Sequence, residues 1–266
     1  MTRVHHLMVP GLARRHLDTG WLPVTVDDPP DRRAELVATF PFSVATVEAT
    51  LLTGCTPREH GRLFHGDASS APRVDDPDAV EHTADLALAR ALRSDGFGSK
   101  AERDALIGVQ KRILELRTDG GPLLVTGAPG FCRVDARVDL DVTGLAAAGA
   151  MARLGHPPED AERRALLATA GVERILAGDG LRSWHGPDLP AVLVAEPGWS
   201  FTEERAAVGR RDVDEEGDEP VILAWGASGR AWPAAVHDVR VAPTLAHVAG
   251  IEGFEAGEER LSWERP

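Results

Sequence analysis

The chain of 266 residues contains no tyrosine and no asparagine, and its only lysines are Lys100 and Lys111. Arginine, alanine, glycine and proline dominate instead, a bias that reads as a GC-rich genome and says little about function. Cysteine is nearly absent too: Cys55 and Cys132 sit in unrelated segments, and no CxxC or Cys/His cluster points to zinc. They read as buried thiols. No apolar run is long enough to cross a bilayer. The N-terminal MTRVHHLMVPGLARRHLDTG interrupts its short apolar stretch with charges and histidines, which argues against a secretory signal, so a cytoplasmic location is expected. Positive charge is scarce, with 29 basic residues against 42 acidic ones. The formal charge of −13 repels a phosphate backbone, and nucleic acid is not an expected partner.

What remains is the composition of a folded globular protein, 43% hydrophobic and 27% charged. The length suits one α/β domain over residues 1–266. RVHHLMV followed by PGLARRHL predicts a strand, a turn and a helix. WLPVTVDD (Trp21–Asp28) and ELVATFP (Glu35–Pro41) read as short extended runs, and VATVEATLLTG as a helix stopped at Gly54. The polar, proline-containing stretch 64–85 reads as a surface loop or lid. Helical spacing runs from Ala84 to Leu116, broken near SDGFG, and leads to the central-strand candidate GPLLVTGAPG. RVDARVDL alternates like a half-buried strand, and the alanine-rich TGLAAAGAMARLG predicts a helix. PAVLVAEPGWSF and EPVILAWGASG are further strands of the sheet, and APTLAHVAGI a closing helix. Strands alternating with helices imply a doubly wound, mostly parallel sheet with helices on both faces and a ligand site at the carboxyl ends of its strands.

Four segments, in order, carry a resemblance: VHHLMVPGL, FPFSVATVEATLLTGCTPREHG, LLVTGAPGF, and VILAWGASG with VRVAPTLAHVAGI. Together they resemble the alkaline phosphatase superfamily, in particular its type I phosphodiesterase and nucleotide pyrophosphatase branch. That resemblance implies an alkaline-phosphatase-like core, two metal ions clamping a phosphoryl group, and a Thr, Ser or Cys nucleophile. The positions it assigns to those groups hold other residues. The first metal-binding Asp falls on Pro10, the nucleophile on Val44, and an Asp-His pair on Ala128 and Pro129. A further Asp and His fall on Ala91 and Asp95, the last His falls near Gly209, Arg210 and Arg211, and an oxygen-binding Asn falls on His65. Apolar side chains at ligand positions cannot hold cations, so no metal and no cofactor is expected.

Ser43 stands beside Val44, but adjacent residues point in different directions, so it does not simply replace a nucleophile. The cleft candidates for acid–base work are His65, Ser43 and Glu196, the last placed at the carboxyl edge of the sheet by the end of AVLVAE. Arg210, Thr46 and His60 are the candidates for ligand binding, with His60 and Gly61 also reading as a turn and Arg210 as a loop charge. His5 and His6, being consecutive on a strand, face opposite sides. The leading expectation is a divergent scaffold without metal-dependent phosphoesterase activity, keeping a cleft for a small molecule or a partner protein. The alternatives are a metal-independent enzyme catalysing cyclisation, elimination or hydrolysis in a biosynthetic pathway, and an active phosphodiesterase with relocated ligands.

Overall fold

The structure is a computed structural model and describes residues 3–38, 43–62, 71–74, 76, 78–140, 146–182, 190–208, 219–254 and 260–263. The chain opens with β1 (Val4–Met8), α1 (Arg14–Asp18), α2 (Val24–Asp27) and β2 (Arg32–Val37). Next come α3 (Val44–Thr53), α4 (Pro57–His60), β3 (Val80–Ala84), α5 (Ala87–Asp95), α6 (Lys100–Thr118) and β4 (Leu123–Thr126). The middle of the chain supplies β5 (Phe131–Arg133), β6 (Ala136–Arg137), β7 (Ala146–Ala148), β8 (Met151–Leu154) and α7 (Asp160–Leu167). β9 (Val172–Leu176), α8 (Asp179–Arg182), β10 (Ala191–Ala195), β11 (Trp199–Ser200) and β12 (Ala206–Val208) follow, and β13 (Val221–Trp225), β14 (Ala235–His237) and α9 (Val241–Ala249) come last.

Six strands form the central sheet in the order β14-β2-β13-β4-β1-β3. Only β13 runs against the others, pairing antiparallel with both β2 and β4. Side chains alternate across this sheet as the period of two requires. Val4 and Met8 of β1, Leu124 of β4, and Ile222 and Ala224 of β13 meet Val47 and Leu51 of α3 and Val241 and Leu245 of α9. Leu7, Leu123, Val125 and Leu223 point the other way, onto Leu88 and Leu92 of α5 and Leu106 and Ile113 of α6. Both faces are therefore covered, as in a doubly wound α/β fold. Among the described residues no helix is long and apolar enough to cross a membrane.

Local chemistry explains where α3 begins and ends. Ser43 is its N-cap, its hydroxyl accepting the Thr46 N–H at 3.0 Å, and Gly54 closes it at φ 66, a conformation costly for other residues.

Several expectations are corrected. WLPVTVDD is not extended: Val24–Asp27 forms the single turn α2, which buries Val24 against the α6 face. Within the 64–85 loop, Val80–Ala84 is β3, an edge strand parallel to β1, while 63–70, 75 and 77 lie outside the described residues. The described part of TGLAAAGAMARLG, from Ala146 on, is not a helix but the hairpin β7–β8, turned at Gly149 with φ 61. RVDARVDL yields only the two-residue β6, paired with β11. β10 is a buried strand, yet it belongs to a separate four-stranded antiparallel sheet, β7-β8-β10-β9. Cys55 and Cys132 are not in a disulfide and are only half-buried.

Candidate functional site

β1, β3 and β4 run parallel and end together. The Val9 N–H donates to Thr126 O at 2.8 Å, and the Asp85 N–H donates to Met8 O at 2.8 Å. Beyond them the loop after β1 is locked to the loop after β4, since the Gly11 N–H donates to both Gly127 O and Pro129 O at 3.0 Å. Gly127 has no room for a side chain: a Cβ there would lie 1.9 Å from the Leu12 carbonyl oxygen. Pro10, Ala128 and Pro129 are consequently brought to one edge of the sheet, and all three are buried.

A pocket of about 540 Å³ lies between the start of α3, the end of β3 and α5. Ser43, Val44 and Glu48 line it from α3, Arg62 from the segment after α4, Arg90 and Arg93 from α5, and Thr202 and Glu204 from the loop after β11. Ala45, Leu86, Ala89 and the β7–β8 turn add an apolar surface. Glu48 Oε2 lies 3.5 Å from Arg62 Nη1, and Glu204 Oε1 lies 3.8 Å from Arg93 Nε.

Behind Glu48 runs a buried polar chain. Parallel pairing sets His6 of β1 directly beside His82 of β3, and their Nδ1 atoms are 3.1 Å apart. His6 Nε2 is 3.0 Å from Thr126 Oγ1, and His82 Nε2 is 3.4 Å from Glu48 Oε1. Burial, with His82 adding to it, holds the His6 imidazole well below its ordinary pKa. The hydrogen bond from His82 holds the Glu48 carboxyl below its usual range, outweighing burial, with Arg62 and Arg73 assisting. Glu48 is therefore an ionised carboxylate at the pocket wall.

No family model matches the chain, and no curated protein matches it. Solved structures do. Human ectonucleotide pyrophosphatase/phosphodiesterase 5 superposes with a TM-score of 0.71 over 97% of this chain and 96% of its own, at 12% identity. The murine protein of the same name gives 0.66 at 11% identity, covering 100% of this chain and 97% of its own. An inactive variant of the murine protein in complex with AMP also gives 0.66, at 12% identity. The fold is that of a nucleotide pyrophosphatase/phosphodiesterase. On this phosphodiesterase fold, the positions where the resemblance puts metal ligands and a nucleophile carry Pro10, Ala128, Pro129 and Val44, side chains with no donor atom. Among the described residues, no group of three or more His, Cys, Asp and Glu side chains is placed to hold a metal ion.

The structure gives the sequence candidates different places. Ser43 lines the pocket, but its hydroxyl is engaged with Thr46, accepting from its N–H and lying 2.7 Å from its Oγ1. Thr46 itself is fully buried. His60 is fully buried as well: its Nδ1 accepts the Arg62 N–H at 3.0 Å, so its Nε2 donates to Thr50 Oγ1 at 3.1 Å, and it does not line the pocket. Glu196 is not at the carboxyl edge of the central sheet: it follows β10 in the second sheet and is exposed. His65 and Arg210 lie outside the described residues. Ala91 is buried within α5 and Asp95 ends that helix beside Ser94, while the carboxylate that stands at a strand end is Asp85, whose Oδ1 accepts the Ala87 N–H. His5 and His6 do face opposite sides, His5 toward Glu81 and His6 toward Thr126.

Sequence reasoning missed Glu48, His82, Arg62, Arg90 and Arg93. A signal for Glu48 existed, because it follows Val44 by four residues and so shares its helix face. His82 became meaningful only once β3 paired with β1.

Proposed function

We propose that this chain is a divergent phosphodiesterase-fold protein without metal-dependent phosphoesterase activity, whose cleft binds a small molecule. One observation carries the reading: Val44, the residue at the nucleophile position, lines an open pocket of about 540 Å³, while Pro10, Ala128 and Pro129 are buried. That volume is within the range of roughly 300–1,000 Å³ usual for small-molecule sites. Without cations, a cluster of carboxylates would repel itself, so apolar residues at the ligand positions are the stable alternative. Purified protein incubated with zinc or manganese is expected to retain no stoichiometric metal. It is also expected to show no chelator-sensitive hydrolysis of bis(4-nitrophenyl) phosphate. Retained metal together with turnover abolished by chelator would overturn the reading.

A second reading, metal-independent chemistry on a small molecule, is favoured by Glu48. An ionised carboxylate backed by an imidazole, on the wall of a partly apolar pocket, can stabilise positive charge developing on a substrate.

A further inference from the structure

We infer that the pocket takes a small monocarboxylic acid bearing a hydroxyl or amino group, with the acid on its arginines and the hydroxyl or amino donor on Glu48. The inference rests on the reading of this pocket as a metal-free binding cleft and names its ligand class.

Hydrogen-bond direction in the buried chain makes Glu48 an acceptor. With neutral imidazoles, the Thr126 hydroxyl donates to His6 Nε2, His6 Nδ1–H donates to His82 Nδ1, and His82 Nε2–H donates to Glu48. His82 Nε2 thus carries a hydrogen facing Glu48. Glu48 Oε1 faces His82 and Oε2 lies 3.5 Å from Arg62 Nη1, while the side chain still lines the pocket with 23% of its surface exposed. A neutral or protonated donor on a ligand is its natural partner.

Charge selects the other end of the ligand. Arg62, Arg90 and Arg93 line the same space as Glu48 and Glu204, which leaves one positive charge in excess. A monoanion balances it, whereas a phosphate dianion adds uncompensated negative charge inside a protein already at −13. Guanidinium groups match the planar, two-oxygen geometry of a carboxylate. Three buried atoms of these residues, Arg62 Nε, Arg93 Nε and Glu204 Oε2, have no hydrogen-bond partner among the described residues. Val44, Ala45 and Ala89 on the pocket wall suit an apolar body.

Calorimetric titration with mandelate, phenylacetate, benzyl alcohol and phenyl phosphate tests this. Mandelate is expected to bind about tenfold more tightly than phenylacetate, which lacks only the hydroxyl, and more tightly than the other two probes. Glu48→Gln turns its amide N–H₂ toward the pocket, so it should erase the preference for mandelate while phenylacetate binding persists as the measure of an intact site. Arg90→Ala, at an exposed position, should weaken both acids. Equal binding of mandelate and phenylacetate, or tightest binding of phenyl phosphate, overturns the ligand class. Both leave the metal-free reading standing, since only chelator-sensitive hydrolysis removes that. Binding of none of the four probes at millimolar concentration also overturns the inference.

Discussion

Glu102→Ala lowers the stability of the fold by about 3–5 kcal/mol, the range for removing one member of a buried charged network. Glu102 is completely buried in the first turn of α6. Its Oε1 accepts from Arg15 Nη2 at 3.1 Å and from His16 Nε2 at 3.0 Å, and its Oε2 accepts the Gly98 N–H at 2.6 Å. His16 is committed to this arrangement: its Nδ1 accepts the Ala13 N–H at 3.0 Å, so its hydrogen must lie on Nε2, facing Glu102. Burial pushes the Glu102 carboxyl upward, but the His16, Gly98 and Arg15 contacts outweigh it and hold the group below its usual range. Ser99 completes the cap by accepting the Glu102 N–H at 3.1 Å. Alanine would take the acceptor from the fully buried His16 N–H, at a desolvation cost, and from the part-buried Arg15 guanidinium and Gly98 N–H contacts as well. Urea unfolding of the variant measures the loss. Lys100→Ala, whose 91%-exposed side chain pairs with Asp104, serves as the control and should leave the midpoint unchanged. A Glu102→Ala midpoint equally unmoved would show the network to be dispensable.

The parts of this fold that were legible in the sequence are those where one local pattern decides. Apolar runs in β1, β4 and β13, helical spacing in α3 and α9, and the glycine after α3 each have one reading. The failures occur where local preference and tertiary setting disagree. TGLAAAGAMARLG is rich in the best helix former, yet β8 pairs with both β7 and β10, and Ala152 and Leu154 are buried in the second core. Long-range pairing outweighs alanine propensity there. β10 shows a different limit: a continuous apolar run reports burial on both faces but not which sheet provides it. The same limit explains why Glu196 was misplaced. At the site, Val44 was legible because FPFSVATVEATLLTG fixes the start of α3. The Glu48–His82–His6 chain was not, because it depends on a strand register joining residues 76 positions apart.

Acid is expected to destabilise this protein well before its surface carboxylates titrate, through three buried histidines. Burial, then Arg62, lowers His60 from 6.5 to about 4. Burial likewise lowers His16, and burial with His82 lowers His6 well below 6.5. In each case the unfolded chain binds a proton at a pH where the folded protein does not. Below 6.5, protons therefore favour unfolding. The histidine contribution is fully present above about pH 6.5 and is lost progressively as the pH falls toward the folded values, which for His60 means a window from 6.5 to about 4. His60 alone contributes on the order of 3 kcal/mol across that window. Glu48 and Glu102, both held below 4.5, add their own losses only at the acid end of it. Urea midpoints at pH 7.5, 6.5, 5.5 and 4.5 should fall slowly in the first interval and steeply thereafter. His60→Gln cannot titrate, so its midpoint starts lower than that of the parent chain but declines less between pH 6.5 and 4.5. A parent curve flat to pH 5, or a His60→Gln curve parallel to it, would assign acid sensitivity to the carboxylates instead.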